Sequence, residues 1–291
     1  MNNSHSTSTN NPVQFHTDEV VSEDGTTIGY RQFGSGPGLI LVHGGLQTSQ
    51  NFTKLAAALS DVFTVYVPDR RGRGLSGSHG DNYGIRKECE DINALLNRTG
   101  THNVFGLSSG AIIVLQAALT LPAIYKVALY EPPLPTDHSS PATWAPRYEK
   151  ELAEGKLASA MVTIIKGTGD SSIVRALPRF ILEPLMTLAI RAESVQNDEV
   201  PLKTLIPTMH FDTQLVAEME GSLENFKAIR AEVLLLGGSQ SQEYLKAALD
   251  ALGSVLPHAK RVEYPGLGHL ATDNDGKPEL VAQDLRRFFL P

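Results

Sequence analysis

A serine flanked by two glycines lies where a short buried strand is expected to meet a buried helix. The motif is Gly106-Leu107-Ser108-Ser109-Gly110, with the run 102–105 before it and the apolar run 111–119 after it. A tight strand-to-helix turn needs small residues two positions either side of its apex, because the two backbones approach closely there. A serine hydroxyl at the apex becomes a nucleophile once a base takes its proton. This context favours Ser108 as a nucleophile over an ordinary glycine–serine loop.

The base that such a serine needs is predicted to be His269. It follows Gly268 in a loop after the last expected strand, from which an imidazole can reach back over the serine turn. His43 is expected to be a buried residue that braces the neighbouring turn. The other histidines lie in strand-end, insertion, loop, surface or tail contexts, and none is predicted to be the base: His5, His16, His79, His102, His138, His210 and His258.

The elements around these residues alternate between strands and helices. A hairpin is predicted over 17–33, and strands are predicted over 39–42, 63–69, 102–105, 127–130, 233–236 and 261–264. Helices are predicted between them and at the end of the chain, where Val281, Leu285, Phe288 and Phe289 share one face. Such alternation predicts an α/β fold with a mainly parallel, doubly wound sheet.

The alternation of strands and helices stops after the strand 127–130 and resumes near residue 230. Between them only helical patterns occur, over 144–154, 157–165, 173–190 and 215–229. We therefore predict a disordered tail over 1–14, a core domain over 15–132 and 230–291, and a helical insertion over 133–229. Four large side chains in the insertion are expected to serve helix packing: Trp144, Phe180, Met186 and Phe211.

Composition narrows the classes of partner. The 291 residues carry a net charge of −7 with no basic block, which argues against nucleic acid or an anionic membrane as the main partner. The single cysteine, Cys89, excludes a disulfide framework and a cysteine-based metal site. No metal-ligand cluster, signal peptide or membrane-spanning apolar run is visible. We expect a cytoplasmic protein without a cofactor that acts on a small molecule, and we leave its oligomeric state open.

One glycine motif points to a different chemistry and is rejected. Residues Gly72 to Gly77 formally match G-x-G-x-x-G, but a dinucleotide fingerprint must open a helix. Here the glycines continue into 78–84, a stretch typical of a loop. No nucleotide site is predicted.

Four motifs in order make the chain resemble the α/β-hydrolase superfamily over roughly residues 17–290. They are His43-Gly44, the arginine-rich loop 69–76, the serine turn 106–110 and the segment 265–269 that ends in His269. The resemblance implies the α/β-hydrolase fold. It also implies that the insertion 133–229 forms a cap (lid) that covers the active site and shapes its pocket.

The acid that would orient His269 is where the chain departs from the family pattern. The family usually places an aspartate just after the seventh strand, but Ser241 stands there, and the nearest carboxylate is Glu243. Some relatives, among them haloalkane dehalogenases and lactone hydrolases, place the acid after the strand that follows the serine turn. Glu131 lies there, followed by two prolines that would hold it stiffly. We predict Glu131, with Glu243 as the alternative.

The oxyanion of an acyl-transfer reaction needs backbone N–H donors. The resemblance implies the amides of Ser109, at a helix N-terminus, and of Gly45, where no side chain would intrude on the substrate.

Ser108 argues against dehalogenases and epoxide hydrolases, which use an aspartate nucleophile. The predicted activity is hydrolysis of a small ester, lactone or thioester through an acyl-enzyme. Alternatives are a non-catalytic ligand-binding protein on the same fold, or a cofactor-free perhydrolase, an acyltransferase or a C–C bond hydrolase with the same triad.

Overall fold

An eight-stranded sheet forms the centre of the part of the chain that the computed structural model describes, residues 14–136, 140–169, 176–193 and 199–290. All of the predicted tail except residue 14 lies outside these residues, as do His5 and His138. The sheet order is β1-β2-β4-β3-β5-β6-β7-β8. The strands are β1 (His16–Val21), β2 (Thr27–Phe33), β3 (Gly38–Val42), β4 (Thr64–Pro68), β5 (Asn103–Leu107), β6 (Lys126–Tyr130), β7 (Glu232–Gly238) and β8 (Lys260–Tyr264).

The strand directions follow from the sequence pattern. The hairpin β1–β2 is antiparallel and joins β4 in antiparallel register, with Tyr30 opposite Pro68. From β4 to β8 every pair is parallel. The central strands β3, β5, β6 and β7 are apolar and buried along nearly their whole length, as strands covered on both faces must be. The predicted α/β-hydrolase fold with its doubly wound, mainly parallel sheet is confirmed.

Two layers of helices cover the sheet. Helices α2 (Ile85–Thr99), α3 (Ser109–Thr120) and α9 (Glu243–Val255) pack on one face. Helices α1 (Thr53–Leu59) and α10 (Pro278–Phe289) pack on the other. Each layer buries a continuous apolar cluster, and burial of this kind supplies most of the favourable free energy of folding. A short 3-10 helix, Ser49–Phe52, precedes α1.

The chain between β6 and β7 is called here the helical insertion (133–229). Its described residues form α4 (Ala145–Ala153), α5 (Leu157–Thr168), α6 (Arg179–Ala192), α7 (Leu202–Leu205), α8 (Met209–Glu218) and two 3-10 helices, Ile206–Thr208 and Leu223–Ala228. The single helix predicted over 215–229 is wrong. Gly221 has φ +70°, a left-handed conformation that ends the helical path and separates α8 from the second 3-10 helix.

Helix α6 differs from its prediction in two respects. Residues 173–175 of the helix predicted over 173–190 lie outside the described residues, and α6 begins only at Arg179. Phe180 was expected to pack, but it is 75% exposed on α6. No helix among the described residues is long and apolar enough to cross a membrane.

The turn between β5 and α3 depends on its glycines. A Cβ at Gly106 would lie 2.6 Å from the carbonyl oxygen of Gly110 and 2.7 Å from Cα of Ala111. Both are backbone atoms, so they cannot rotate away as a side chain could. Strand and helix therefore approach as closely as the sequence motif predicts.

We expect Gly106→Ala to lower the free energy of unfolding by about 2 kcal/mol or more, because the new methyl group forces the two backbones apart. The matched control is Gly253→Ala in α9, where a Cβ would meet nothing within 4 Å. It should raise stability by about 0.5–1 kcal/mol through helix propensity. Denaturant titration measures the free energy of unfolding of both variants. Equal changes in the two would contradict the close approach of strand and helix at Gly106.

Candidate active site

Ser108 is the single residue between the end of β5 and the start of α3, and its backbone is strained. Its φ of 55° and ψ of −125° lie outside the regions that non-glycine residues ordinarily occupy. The backbone is held there from both sides. Its amide donates to the carbonyl of Tyr130 at 2.9 Å, and its carbonyl accepts from the amides of Ala111 and Ile112 at 2.9 and 3.1 Å. Strain of this kind persists only where the surroundings enforce it, and it is common at active sites.

Glu131 and His269 are hydrogen-bonded to each other. Glu131 follows β6 directly, has φ +48° and is fully buried. One carboxylate oxygen, Oε2, lies 2.7 Å from Nδ1 of His269, and the other, Oε1, accepts the amide of Gly238 at 2.6 Å. The His269 side chain is 11% exposed. The carboxylate thus holds one edge of the imidazole.

The end of β7 leaves room for this carboxylate. A Cβ at Gly237 would lie 3.0 Å from Oε1 of Glu131, tighter than ordinary van der Waals contact. Ser241, in the slot where the family usually has its acid, is buried. The alternative acid, Glu243, has a side chain that is 91% exposed and pairs with Lys246 at 3.1 Å. Of the two candidate carboxylates, only Glu131 is hydrogen-bonded to His269 in the described structure.

Ser108 and His269 line one small cavity of about 60 Å³, large enough for a small group rather than a long chain. The candidate oxyanion residues Gly45 and Ser109 line it as well. The other walls of the cavity come from the helical insertion, with one side chain from α9. The insertion contributes Pro133, Pro141, Ala142, Trp144, Thr168, Met209, Asp212, Thr213 and Val216, and α9 contributes Tyr244. Trp144, expected only to pack, also faces this cavity.

The peptide between Gly44 and Gly45 is fixed by side chains. Its carbonyl, on Gly44, accepts Nη1 of Arg73 at 2.8 Å. The amide of Gly44 donates to Oε1 of Gln47 at 2.8 Å, and Gln47 donates onward to Asp273 at 2.6 Å. Because the Gly44 carbonyl and the Gly45 N–H belong to one peptide plane, the hydrogen bond from Arg73 also orients the Gly45 N–H.

A buried charge cluster, Arg70, Arg73 and Asp212, joins the helical insertion to the core beside this cavity. Asp212 lies on α8, whereas both arginines lie in the loop after β4. Nη1 of Arg70 donates to Oδ1 of Asp212 at 2.8 Å, and Arg73 pairs with Oδ2. The hydroxyl of Ser109 also donates to Oδ1, at 2.7 Å.

Sequence reasoning missed the role of this cluster. The loop after β4 carries three arginines, at 70, 71 and 73, and any of them that becomes buried needs an anionic partner, because an arginine is rarely buried without one. Asp212 gave its own signal, since it falls on the buried face of α8 with Met209, Leu215 and Val216. Neither signal says that the two partners meet.

His43 is buried and neutral. Burial, together with Arg73 and Arg70, lowers the pKa of His43 well below its usual value. Its Nε2 accepts the amide of Arg70 at 3.1 Å, so His43 braces the loop after β4. Because Nε2 is an acceptor, Nδ1 carries the proton and donates to the Gly44 carbonyl at 2.9 Å, so His43 also braces the neighbouring turn as the sequence predicts.

The remaining candidates lie apart from the cavity. Burial raises the pKa of Cys89 to about 12, so the thiol stays protonated. His210 is half-exposed and pairs with Glu149. Residues Gly72 to Gly77 form turns that open no helix. Across the described part of the chain no group of three or more His, Cys, Asp or Glu side chains could hold a metal ion.

His79 packs against α8, with its ring 3.5 Å from the ring of Phe211. Burial and then Arg73 lower its pKa to about 4. An unfolded histidine takes up its proton near pH 6.5, so between about pH 6.5 and 4 the unfolded state binds more protons than the folded state. The folded state therefore loses stability as the pH falls through this window.

We expect His79→Gln to reduce the drop in Tm between pH 7.5 and pH 5, although it lowers Tm at pH 7.5 by removing the stacked ring. The matched control is His258→Gln at an exposed position, which should leave the drop unchanged. Calorimetric scans over this range measure both. An identical pH dependence in wild type and His79→Gln would contradict a buried neutral imidazole.

Comparison with known proteins agrees with this architecture. Residues 39–284 match the model of the alpha/beta hydrolase family. The chain is 26% identical to uncharacterized hydrolase YraK of Bacillus subtilis, over 83% of this chain and 86% of that protein. It is 25% identical to the 3-hydroxybutyrate-oligomer hydrolase of Cupriavidus necator, over 80% and 83%.

An alpha/beta hydrolase from Sphaerobacter thermophilus superposes with a TM-score of 0.76 at 28% identity, over 94% of this chain and 100% of the other. The relatives are named hydrolases, which supports hydrolase activity. With its sheet order, its serine turn and a family match that spans most of its length, the chain belongs to the alpha/beta hydrolase family.

Proposed function

We propose that the protein is a serine hydrolase that cleaves a small-molecule ester, lactone or thioester through an acyl-enzyme on Ser108. His269 is the general base and acid, and Glu131 orients it. The hydrogen bond from Nδ1 of His269 to the buried Glu131 carboxylate carries this proposal, because it leaves Nε2 as the proton acceptor, and His269 faces the cavity that Ser108 lines.

The reaction follows from these roles. The Ser108 hydroxyl oxygen attacks the carbonyl carbon while Nε2 of His269 takes its proton, and Glu131 stabilises the imidazolium that forms. The imidazolium then gives the proton to the leaving oxygen or sulfur as that bond breaks. A water molecule, deprotonated by the same nitrogen, attacks the acyl-enzyme, which releases the acid and restores the serine hydroxyl.

The tetrahedral oxyanion would be held by the amides of Gly45 and Ser109. Two observations support this pair. Ser109 is the first residue of α3, where amides have no partner within the helix and the helix dipole favours negative charge. The Gly45 peptide is braced by Arg73 through the Gly44 carbonyl. Each such donor typically lowers the barrier by about 3 kcal/mol.

The insertion 133–229 would act as the cap of this site, and residues 15–132 and 230–291 as the core. Side chains from the insertion make up much of the cavity wall, which supports a role in substrate choice. A relative named for hydrolysing 3-hydroxybutyrate oligomers supports the ester class, since hydroxy acids join through ester bonds.

We expect a small fluorophosphonate to label Ser108, because the reagent requires only an activated serine in an accessible pocket. Mass spectrometry of the peptide that contains Ser108 measures the adduct, and His269→Ala should abolish it. Well-folded wild-type protein without an adduct would contradict the proposed function and favour a ligand-binding protein.

The acid is tested by Glu131→Gln. A glutamine that accepts the Gly238 amide turns its NH₂ toward Nδ1 of His269, which then carries its proton on Nε2, the wrong nitrogen for a base. We expect kcat for a 4-nitrophenyl ester to fall by roughly 10³- to 10⁴-fold, with circular dichroism unchanged. The control Glu243→Gln, at an exposed site, should change little. The reverse outcome would overturn the assignment of Glu131.

A further inference from the structure

The arginines of the buried charge cluster form an anion-binding set next to the candidate nucleophile. Nη1 of Arg70 reaches the Ser109 hydroxyl at 3.1 Å, and Nη1 of Arg73 reaches the Gly44 carbonyl at 2.8 Å. The two guanidinium groups thus touch the residues next to Ser108 and Gly45. Paired guanidinium groups are the side chains that proteins use to recognise carboxylates and phosphates.

The anion that this set holds belongs to the chain itself. The Asp212 carboxylate receives Arg70 on one oxygen and Arg73 on the other. The side chains of Arg70, Arg73 and Asp212 are 2%, 1% and 4% exposed. The rest of Arg70 is matched by Glu88, which accepts its Nη2 at 2.9 Å and also the hydroxyl of Tyr83 at 2.6 Å. Two buried cations therefore face two buried carboxylates.

Asp212 also faces the substrate space. It lines the cavity together with Ser108, Ser109 and His269. Its Oδ2 lies 3.4 Å from the point that a Cβ on Gly45 would occupy, beside the proposed oxyanion donor. Among the described residues that line the cavity, Asp212 is the one acidic side chain.

Asp212 stays ionised at neutral pH. Burial alone would raise its pKa, but Arg73, Arg70 and the Ser109 hydroxyl together bring it below its usual range. A substrate carboxylate entering the cavity would face the Asp212 carboxylate and would lose its hydration without gaining a cation. Arg70 and Arg73, which could neutralise a substrate carboxylate, are already paired with Asp212.

We infer that Asp212 determines the charge of the substrate: the site accepts an uncharged group beside the scissile carbonyl and rejects an anionic one. The inference rests on the proposed function. Asp212, a residue of the chain itself, already occupies the position at which a substrate carboxylate would pair with Arg70 and Arg73. Selectivity thus comes from a repulsive contact as well as from the shape of the cavity.

A pair of boronic acids tests the inference without knowledge of the natural substrate. 3-Methylbutylboronic acid and 2-carboxyethylboronic acid have the same skeleton of heavy atoms, with two methyl groups in one where the other has the two carboxylate oxygens, and each can form a tetrahedral adduct with an activated serine. Their affinities are measured as protection of Ser108 from fluorophosphonate labelling. In the wild type we expect the uncharged acid to bind at least about 100-fold more tightly than the anionic one, as expected for apposed like charges.

Asp212→Asn keeps the shape of the side chain and removes its charge. We expect the preference for the uncharged acid to fall by about 10-fold or more in this variant, because the two arginines are then short of one negative charge. The ratio cancels any general loss of activity that both ligands share.

The matched control is Asp91→Asn. Asp91 forms a buried, bidentate pair with Arg71, through Nε at 2.7 Å and Nη2 at 2.5 Å, and it does not line the cavity. Its variant should keep the wild-type ratio. A similar change in the Asp91 variant would indicate an effect of lost stability and would overturn the role of Asp212.

The remaining outcomes are distinguishable. Absence of labelling in folded wild type counts against the proposed function. Labelling with equal protection by the two acids, or with protection by neither, overturns the charge inference alone. An unchanged ratio in Asp212→Asn also overturns it. Should that variant fail to fold, the wild-type ratio still decides, because a wild type without a preference contradicts the inference.

Discussion

A fully buried carboxylate, that of Glu131, constrains the geometry of the whole site. Removing a charge from water is costly unless its oxygens are satisfied, and here one oxygen takes the Gly238 amide while the other takes His269. This arrangement requires a glycine at 237, one residue before the end of β7, because a side chain there would press on the carboxylate. It also requires a positive φ at Glu131 itself. The edge formed by β6 and β7 thus fixes the imidazole, and β5 presents Ser108 to the same cavity.

The sequence carried enough information for the sheet and for the residues nearest the chemistry. A buried parallel strand appears in the sequence as a nearly unbroken apolar run, and a close approach of two backbones appears as glycine, so β3, β5, β6, β7 and the turn at Gly106 were predictable. The choice between Glu131 and Glu243 also had a local basis. The end of a strand at the carboxyl edge of a parallel sheet is where side chains converge, whereas the first turn of α9 points its carboxylate at solvent.

The features that escaped prediction depend on contacts between segments distant in the chain. Arg70 and Asp212 are separated by 142 positions, and nothing local to either one names the other. The boundary between α8 and the following 3-10 helix was missed for a different reason. The apolar spacing continues across the break, while the glycine at 221 ends the helix by its backbone conformation. The spacing of apolar residues shows which face of a helix is buried, but it does not show where the helix ends.

In the buried charge cluster one side chain, that of Asp212, has two roles: it holds α8 against the core and it balances the charge beside the cavity. If Asp212 were absent, Arg73 would lose its paired carboxylate and Arg70 would keep only Glu88, so the docking of α8 and the charge balance of the cluster depend on the same carboxylate. The same contacts reach Ser109 directly and Gly45 through Arg73 and the Gly44 carbonyl. A change of charge at Asp212 on α8 would therefore disturb the peptide groups beside Ser108. The loops of the sheet supply the reactive groups, and α8 sets the electrostatic environment in which those groups work.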